Sequence, residues 1–177
     1  KIICANLKLQ CVFTPYLGGP FAEALKKIGK ADGPDIVLTG RRTRERKAFA
    51  LFTEPYLFTP SVILTRQTVP NIFSLAELSG KKVLVERGYI IAKLIKDNVP
   101  SVELITVNTT SQALESLAGG IGDAYIGNLT SSTFLAAKLN LANLKVAAPT
   151  NFPIQGESMM VRTDWPELVT MIDKVFD

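Results

Sequence analysis

Arg41, Arg42, Arg44, Arg46 and Lys47 crowd into one short stretch, directly after Thr39 and Gly40. A guanidinium can grip a carboxylate through two parallel hydrogen bonds. Each such charge-assisted bond contributes about 1.5–3 kcal/mol. The plainer alternative is a solvated basic run. A second candidate is Glu86-Arg87-Gly88-Tyr89, which stands just before a predicted helix. The N-terminus of a helix favours an anion, and the alternative there is an ordinary surface loop.

What the chain lacks excludes several chemistries. It has no histidine, so histidine-based triads, general bases and zinc sites are ruled out on this chain. Its two cysteines cannot by themselves complete a structural zinc site, and no cofactor-binding or metal-binding pattern is present. Twenty Lys and Arg residues stand against sixteen Asp and Glu, for a formal charge of +4. That excess suits small anions, is weak grounds for nucleic acid, and is ordinary for a solubilised surface.

These side chains need elements to position them. With 177 residues, 47% of them hydrophobic, the chain can build one sizeable core or two small lobes. No stretch approaches the roughly 20 apolar residues of a spanning helix. The chain opens at Lys1 with no signal-peptide pattern, as a mature or excised segment would. Helices are predicted at 2–9, 20–28, 75–78, 88–97, 111–118, 131–139 and 166–175. Strands are predicted at 10–15, 35–38, 61–66, 82–85, 103–107, 124–126, 145–147 and 158–161. Thr43 is a plausible N-cap with Glu45 in the first turn after it, and Gly119-Gly120 form a helix stop. The alternation implies parallel sheets built from βαβ units. The region before residue 61 holds too few strands and needs the final helix to complete it. The pattern is a two-lobed α/β protein with two crossovers. Lobe 1 is residues 1–60 plus 155–177, and lobe 2 is residues 61–154.

Four stretches carry a family resemblance. Thr43-Arg44-Glu45-Arg46-Lys47 followed by Phe52-Thr53-Glu54-Pro55-Tyr56 is similar to a T-x-E-R-K…F-S-D-P-Y element. Leu75 to Val83 is similar to S-L-x-D-L-x-G-K-K-V. Gly122 to Asn128 is the third stretch. Val161 to Leu168, similar to V-R-K-D-x-P-E-L, is the fourth. In this order and spacing they resemble the bacterial extracellular solute-binding proteins of family 3, with the type II periplasmic-binding fold. The stretches around Tyr56–Arg66 and Asp123–Leu129 look most like sensor domains of membrane receptors such as histidine kinases.

The resemblance implies roles. Arg46 would take a ligand carboxylate, with Thr39 and Gly40 holding the ligand through backbone and hydroxyl groups. Arg41 stands where a Ser or Thr commonly donates, and could hold a second acid group. Asn128 stands where the family places an acidic residue for the ligand ammonium, and Gly18 where it often places an apolar wall. Both departures weaken the case for an α-amino acid. Arg87 and Tyr89 would be contacts from lobe 2. Tyr56 reads as a buried hinge tyrosine. Trp165 reads as core packing after an Asp164 N-cap. The family begins with a strand that this chain lacks.

Cys4 and Cys11 match a bridge carried by some amino-acid-binding members, which implies an oxidising compartment. Two buried free thiols are the alternative. The implied function is a periplasmic, non-enzymatic sensor domain. It would close on an amino acid or small organic acid and signal to membrane-anchored domains outside this chain, with a homodimer left open. A free transport-binding protein and a ligand-independent module are the other readings. An enzyme is disfavoured, Glu86 being the sole visible acid catalyst.

Overall fold

The computed structural model describes residues 2–14, 21–154 and 156–176. In chain order its elements are α1 (Ile2–Asn6), α2 (Phe21–Lys27), β1 (Ile36–Arg41), a 3-10 turn (Arg46–Ala48), β2 (Leu51–Phe52), β3 (Ser61–Arg66), a second 3-10 turn (Leu75–Leu78), β4 (Lys82–Glu86), α3 (Ile91–Asn98), β5 (Glu103–Val107), α4 (Thr110–Ala118), β6 (Ala124–Asn128), α5 (Leu129–Lys138), β7 (Leu144–Pro149), β8 (Glu157–Val161) and α6 (Pro166–Phe176). They form two compact units. The first contains residues 23–58 and 156–176 together with the N-terminal segment, and the second is Thr59–Ile154 with Phe21.

In the first unit a three-stranded sheet has the order β1-β8-β2, and β8 is antiparallel to both neighbours. Met159, Val161, Leu168 and Ile172 form its core, joined by Ile3, Leu7, Ile36, Leu51, Tyr56 and Val169. Leu168 and Ile172 are one helical turn apart, so α6 turns one stripe onto the sheet. Arg162 ties this unit's edge together. Its Nη1 donates to Asp35 at 2.7 Å, and its Nε and Nη2 donate to Asp164 at 2.6 and 2.7 Å.

In the second unit the five strands are ordered β5-β4-β6-β3-β7. β4 is parallel to β5 and β6, while β3 is antiparallel to β6 and β7. Side chains alternate across this sheet. Ile63, Val83, Val85, Ala124 and Ile126 face one core with Ile91 and Ile95 of α3. Val62, Leu64, Leu84 and Tyr125 face the other with Ala113, Leu114 and Leu117 of α4. Helices on both faces explain why β3 and β4 read as unbroken apolar runs.

Several expectations need correction. The sheets are not purely parallel: the first unit's is antiparallel and the second unit's is mixed. Gln10 to Thr14 form no strand. An extended segment becomes a strand only when a neighbour fills its hydrogen bonds, and no strand lies alongside it among the described residues. Pro15, the end of that predicted strand, lies outside the described residues, as does Gly18. β2 is two residues long, too short for any periodicity to reveal. Trp165 is 39% exposed rather than core. Asp164 spends its carboxylate on Arg162, and α6 opens instead on Pro166, a residue suited to the first helical position.

Candidate functional site

In the first unit, β1 ends in Thr39-Gly40-Arg41. The register of β1 against β8 shifts between Val37 and Gly40. At Gly40 a Cβ would fall 2.4 Å from the Met160 Sδ, so only glycine lets the strand pass this close. Thr43 closes the following turn. Its Oγ1 accepts from the Arg46 N–H at 3.2 Å, and its carbonyl accepts from the Lys47 N–H at 3.0 Å. This fixes Arg46, whose Nη1 donates to the Arg41 carbonyl at 3.0 Å.

Arg41 and Arg46 are both nearly out of solvent, at 7% and 8% exposure, with the Arg46 guanidinium against the Arg41 backbone. Burying a guanidinium is costly unless negative charge or dipoles meet it. Thr39 is half-buried beside them. The rest of the basic run behaves otherwise. Arg42 donates through Nη2 to the Thr53 carbonyl at 3.1 Å and lies 3.6 Å from Glu54, while Arg44 and Lys47 are exposed. The structure thus brings Thr39, Gly40, Arg41 and Arg46 together and leaves Arg42, Arg44 and Lys47 aside.

Tyr56, in the same unit, is only half-buried. Its hydroxyl donates to the Leu38 carbonyl at 2.6 Å, and its ring stacks on Phe176 with centroids 5.1 Å apart. Burial raises its pKa above the usual tyrosine value, helped by the nearby Glu157 carboxylate. The two cysteines are joined: Cys4, in the middle of α1, is bonded to Cys11, with Cα atoms 6.1 Å apart.

In the second unit, the Arg87 side chain is exposed, while its N–H donates to the Val107 carbonyl at 2.8 Å. Tyr89 is half-buried against the core. Helix α3 begins at Ile91, after the Arg87–Tyr89 loop rather than within it. Asn128 caps α5: its Oδ1 accepts from the Ser131 N–H at 3.1 Å. Its Nδ2 donates to the Thr59 Oγ1.

Between these lies a buried polar group that sequence reasoning did not assemble. Glu86, 5% exposed, accepts from the Thr110 Oγ1 at 2.5 Å. Thr110 also sits 3.3 Å from the Tyr125 Oη. Burial pushes the Glu86 carboxyl above the usual carboxylate range, although hydrogen bonds from Thr110 and Tyr89 pull it down. Tyr125 is pushed up to about 12, chiefly by burial. Residues 86, 110 and 125 share no spacing that could announce them. The one local clue is Gly127, where a Cβ would fall 2.1 Å from the Tyr125 Oη.

The model of the bacterial extracellular solute-binding proteins, family 3, matches residues 1–177. The chain belongs to that family. It is 24% identical over 176 residues to the virulence sensor protein BvgS of Bordetella pertussis, covering 99% of this chain and 14% of that protein. It is 28% identical over 170 residues to the ABC transporter arginine-binding protein 1 of Escherichia coli, covering 93% of this chain and 66% of that one. The family-3 chain therefore spans less than two thirds of either relative.

Among solved structures, a histidine kinase sensor domain with similarity to periplasmic binding proteins superposes with a TM-score of 0.85 at 21% identity. That superposition covers 98% of this chain and 74% of the other. An ancestral arginine-binding protein bound to arginine gives 0.82 at 25% identity, over 99% and 76%. The fold is that of the periplasmic binding proteins. No helix among the described residues is long and apolar enough to cross a membrane.

Proposed function

We propose that this chain is a periplasmic solute-binding sensor domain that takes a small carboxylate-bearing ligand, without transforming it. Its occupancy would pass to a membrane-anchored signalling partner such as a histidine kinase. The observation that carries this reading is the Arg41–Arg46 pair, nearly solvent-free at the end of β1 beside Thr39 and Gly40. The planar Arg46 guanidinium is suited to a carboxylate, and the buried Arg41 would add a second positive charge at the same strand end. The likeness to sensor and amino-acid-binding proteins supports the same reading.

Arg87 and Tyr89 of the second unit are proposed as further contacts. Asn128 carries no charge for an α-ammonium, and its amide caps α5. This favours a ligand rich in acid groups over a plain α-amino acid. The test is a thermal-shift series on the chain with arginine, glutamine, and mono- and dicarboxylic acids. A true ligand at about 100 times its Kd adds about 2.7 kcal/mol, or about 5–10 °C in Tm for a domain of this size. Arg46→Met should abolish that shift. An Arg46→Met protein that keeps it would overturn the assignment.

One observation favours a second reading, a module that signals without a ligand. Arg46 and Asn128 both serve internal hydrogen bonds. A series in which no acid or amino acid moves the Tm would select it.

A further inference from the structure

The ladder between β1 and β8 is interrupted just before the basic cluster. Ile36 and Val37 stand opposite Val161 and Met160, while Gly40 and Arg41 stand opposite Ser158 and Glu157. From Val37 to Gly40, β1 advances three positions while β8 advances two. Leu38 and Thr39 therefore face Met159 together, as a bulge. A bulge leaves one residue out of the ladder, bends its strand and re-aims the side chains beside it. The residues beside this one are Thr39, Gly40 and Arg41.

Tyr56 reaches the bulge from another segment. Its hydroxyl donates to the Leu38 carbonyl at 2.6 Å. The Leu38 side chain is itself 50% exposed, so core burial of that residue does not hold the bulge in place. The tyrosine, by contrast, is held at several points. Its N–H donates to the Glu157 carbonyl at 3.1 Å, and Glu157 is the residue opposite Arg41. Its ring packs on the cluster of Met159 and Val161, and Phe176 stacks on it with planes 11° from parallel. One turn earlier in α6, the Asp173 Oδ1 accepts from the Glu54 N–H at 2.9 Å. Burial raises the Tyr56 pKa, so the hydroxyl keeps its proton and remains a donor through the physiological range.

We infer that Tyr56 is a positioning residue for ligand capture: its hydroxyl props the Leu38–Thr39 bulge that aims Thr39, Gly40 and Arg41. It touches no ligand and acts through β1. The effect on binding rests on the carboxylate site proposed above, whereas the prop belongs to the ligand-free chain.

The bond is partly exposed, which separates its two effects. Water can take the Leu38 carbonyl when the hydroxyl is gone, so little stability is lost. A mobile water does not fix the carbonyl against β8, so the strand end loses its aim. Order and affinity should suffer more than stability.

The test compares Tyr56→Phe with Ile172→Val. Tyr56→Phe keeps the ring and its stack and removes only the hydroxyl. Ile172 is fully buried in the same core, so Ile172→Val lowers the Tm at least as far without touching the bond. Amide exchange of the ligand-free chain is measured first, relative to Val161 and Leu168 of the same unit. In Tyr56→Phe the amides of Thr39, Gly40 and Arg41 should exchange about three- to tenfold faster on that scale. Ile172→Val should leave them at the wild-type ratio. Calorimetric titration with succinate, a dicarboxylate, follows. Tyr56→Phe should weaken its Kd by about three- to tenfold, and Ile172→Val should leave it unchanged. Tyr56→Phe amides that exchange as in the wild type would overturn the inference, as would a Kd that simply follows the Tm across the three proteins. If succinate does not bind the wild type, the carboxylate reading loses that ligand, and the exchange comparison decides the prop by itself.

Discussion

The Nη1 of Arg46 donates to the carbonyl of Arg41 at 3.0 Å, so the side chain proposed to hold the ligand also ties down the end of the strand that carries it. Stability and recognition share one guanidinium. Arg46→Met should cost about 1–3 kcal/mol from the lost bond and the carbonyl left buried. Arg46→Lys keeps the charge but not the planar fork. Its stability should fall between those of the wild type and Arg46→Met, while ligand stabilisation is lost almost as fully as in Arg46→Met. Denaturant midpoints with and without ligand separate the two effects. Equal stability of all three proteins would show that the Arg41 carbonyl does not depend on this bond.

The Cys4–Cys11 bridge spans a sequence separation of seven. It joins α1 to a segment with no sheet to hold it, so the bridge substitutes for the missing ladder. Closing so short a loop constrains the unfolded chain by about 2–3 kcal/mol. Reduction, or the Cys4→Ser/Cys11→Ser double variant, should lower the unfolding midpoint accordingly. Exchange should accelerate first in α1. An unchanged midpoint on reduction would mean that the N-terminal segment unfolds independently of the rest.

What could be read from the residues depended on how local the cause was. Ser61–Arg66 and Glu103–Val107 form strands at the expected bounds, because breakers frame runs that the pattern alone defines. Leu75–Leu78 forms a turn of helix where expected, and its Ser74 and Glu77 bond each other locally. Gln10–Thr14 and Leu51–Phe52 went the other way, since a strand exists only with its neighbour and neighbours are not written locally. The Thr39–Arg46 cluster was legible because eight consecutive residues carry it. The Glu86–Thr110–Tyr125 row was not, because three distant segments meet only after the sheet orders β4 beside β6. Asn128 was read by its missing charge, whereas its role as the cap of α5 follows from an amide placed three residues before Ser131.

Gly127 tests whether that row is as tightly fitted as it looks. A Cβ there would stand 2.1 Å from the Tyr125 Oη, 2.4 Å from Cζ and 2.7 Å from Cε1. Tyr125 is 1% exposed, with its Oη 3.3 Å from the Thr110 Oγ1, so its ring cannot swing away as a surface side chain would. Gly127→Ala should therefore cost at least the 1–3 kcal/mol typical of overpacking a well-filled core, about 3 kcal/mol here. Tyr125→Phe alone removes the hydroxyl and should cost about 1–2 kcal/mol. The double variant loses the closest clash but keeps those to the ring carbons. It should thus be less destabilised than the sum of the single variants, yet remain below Tyr125→Phe. Unfolding free energies of the four proteins in a double-mutant cycle measure that coupling. Strict additivity would mean that the Tyr125 ring has room to move away from the added methyl.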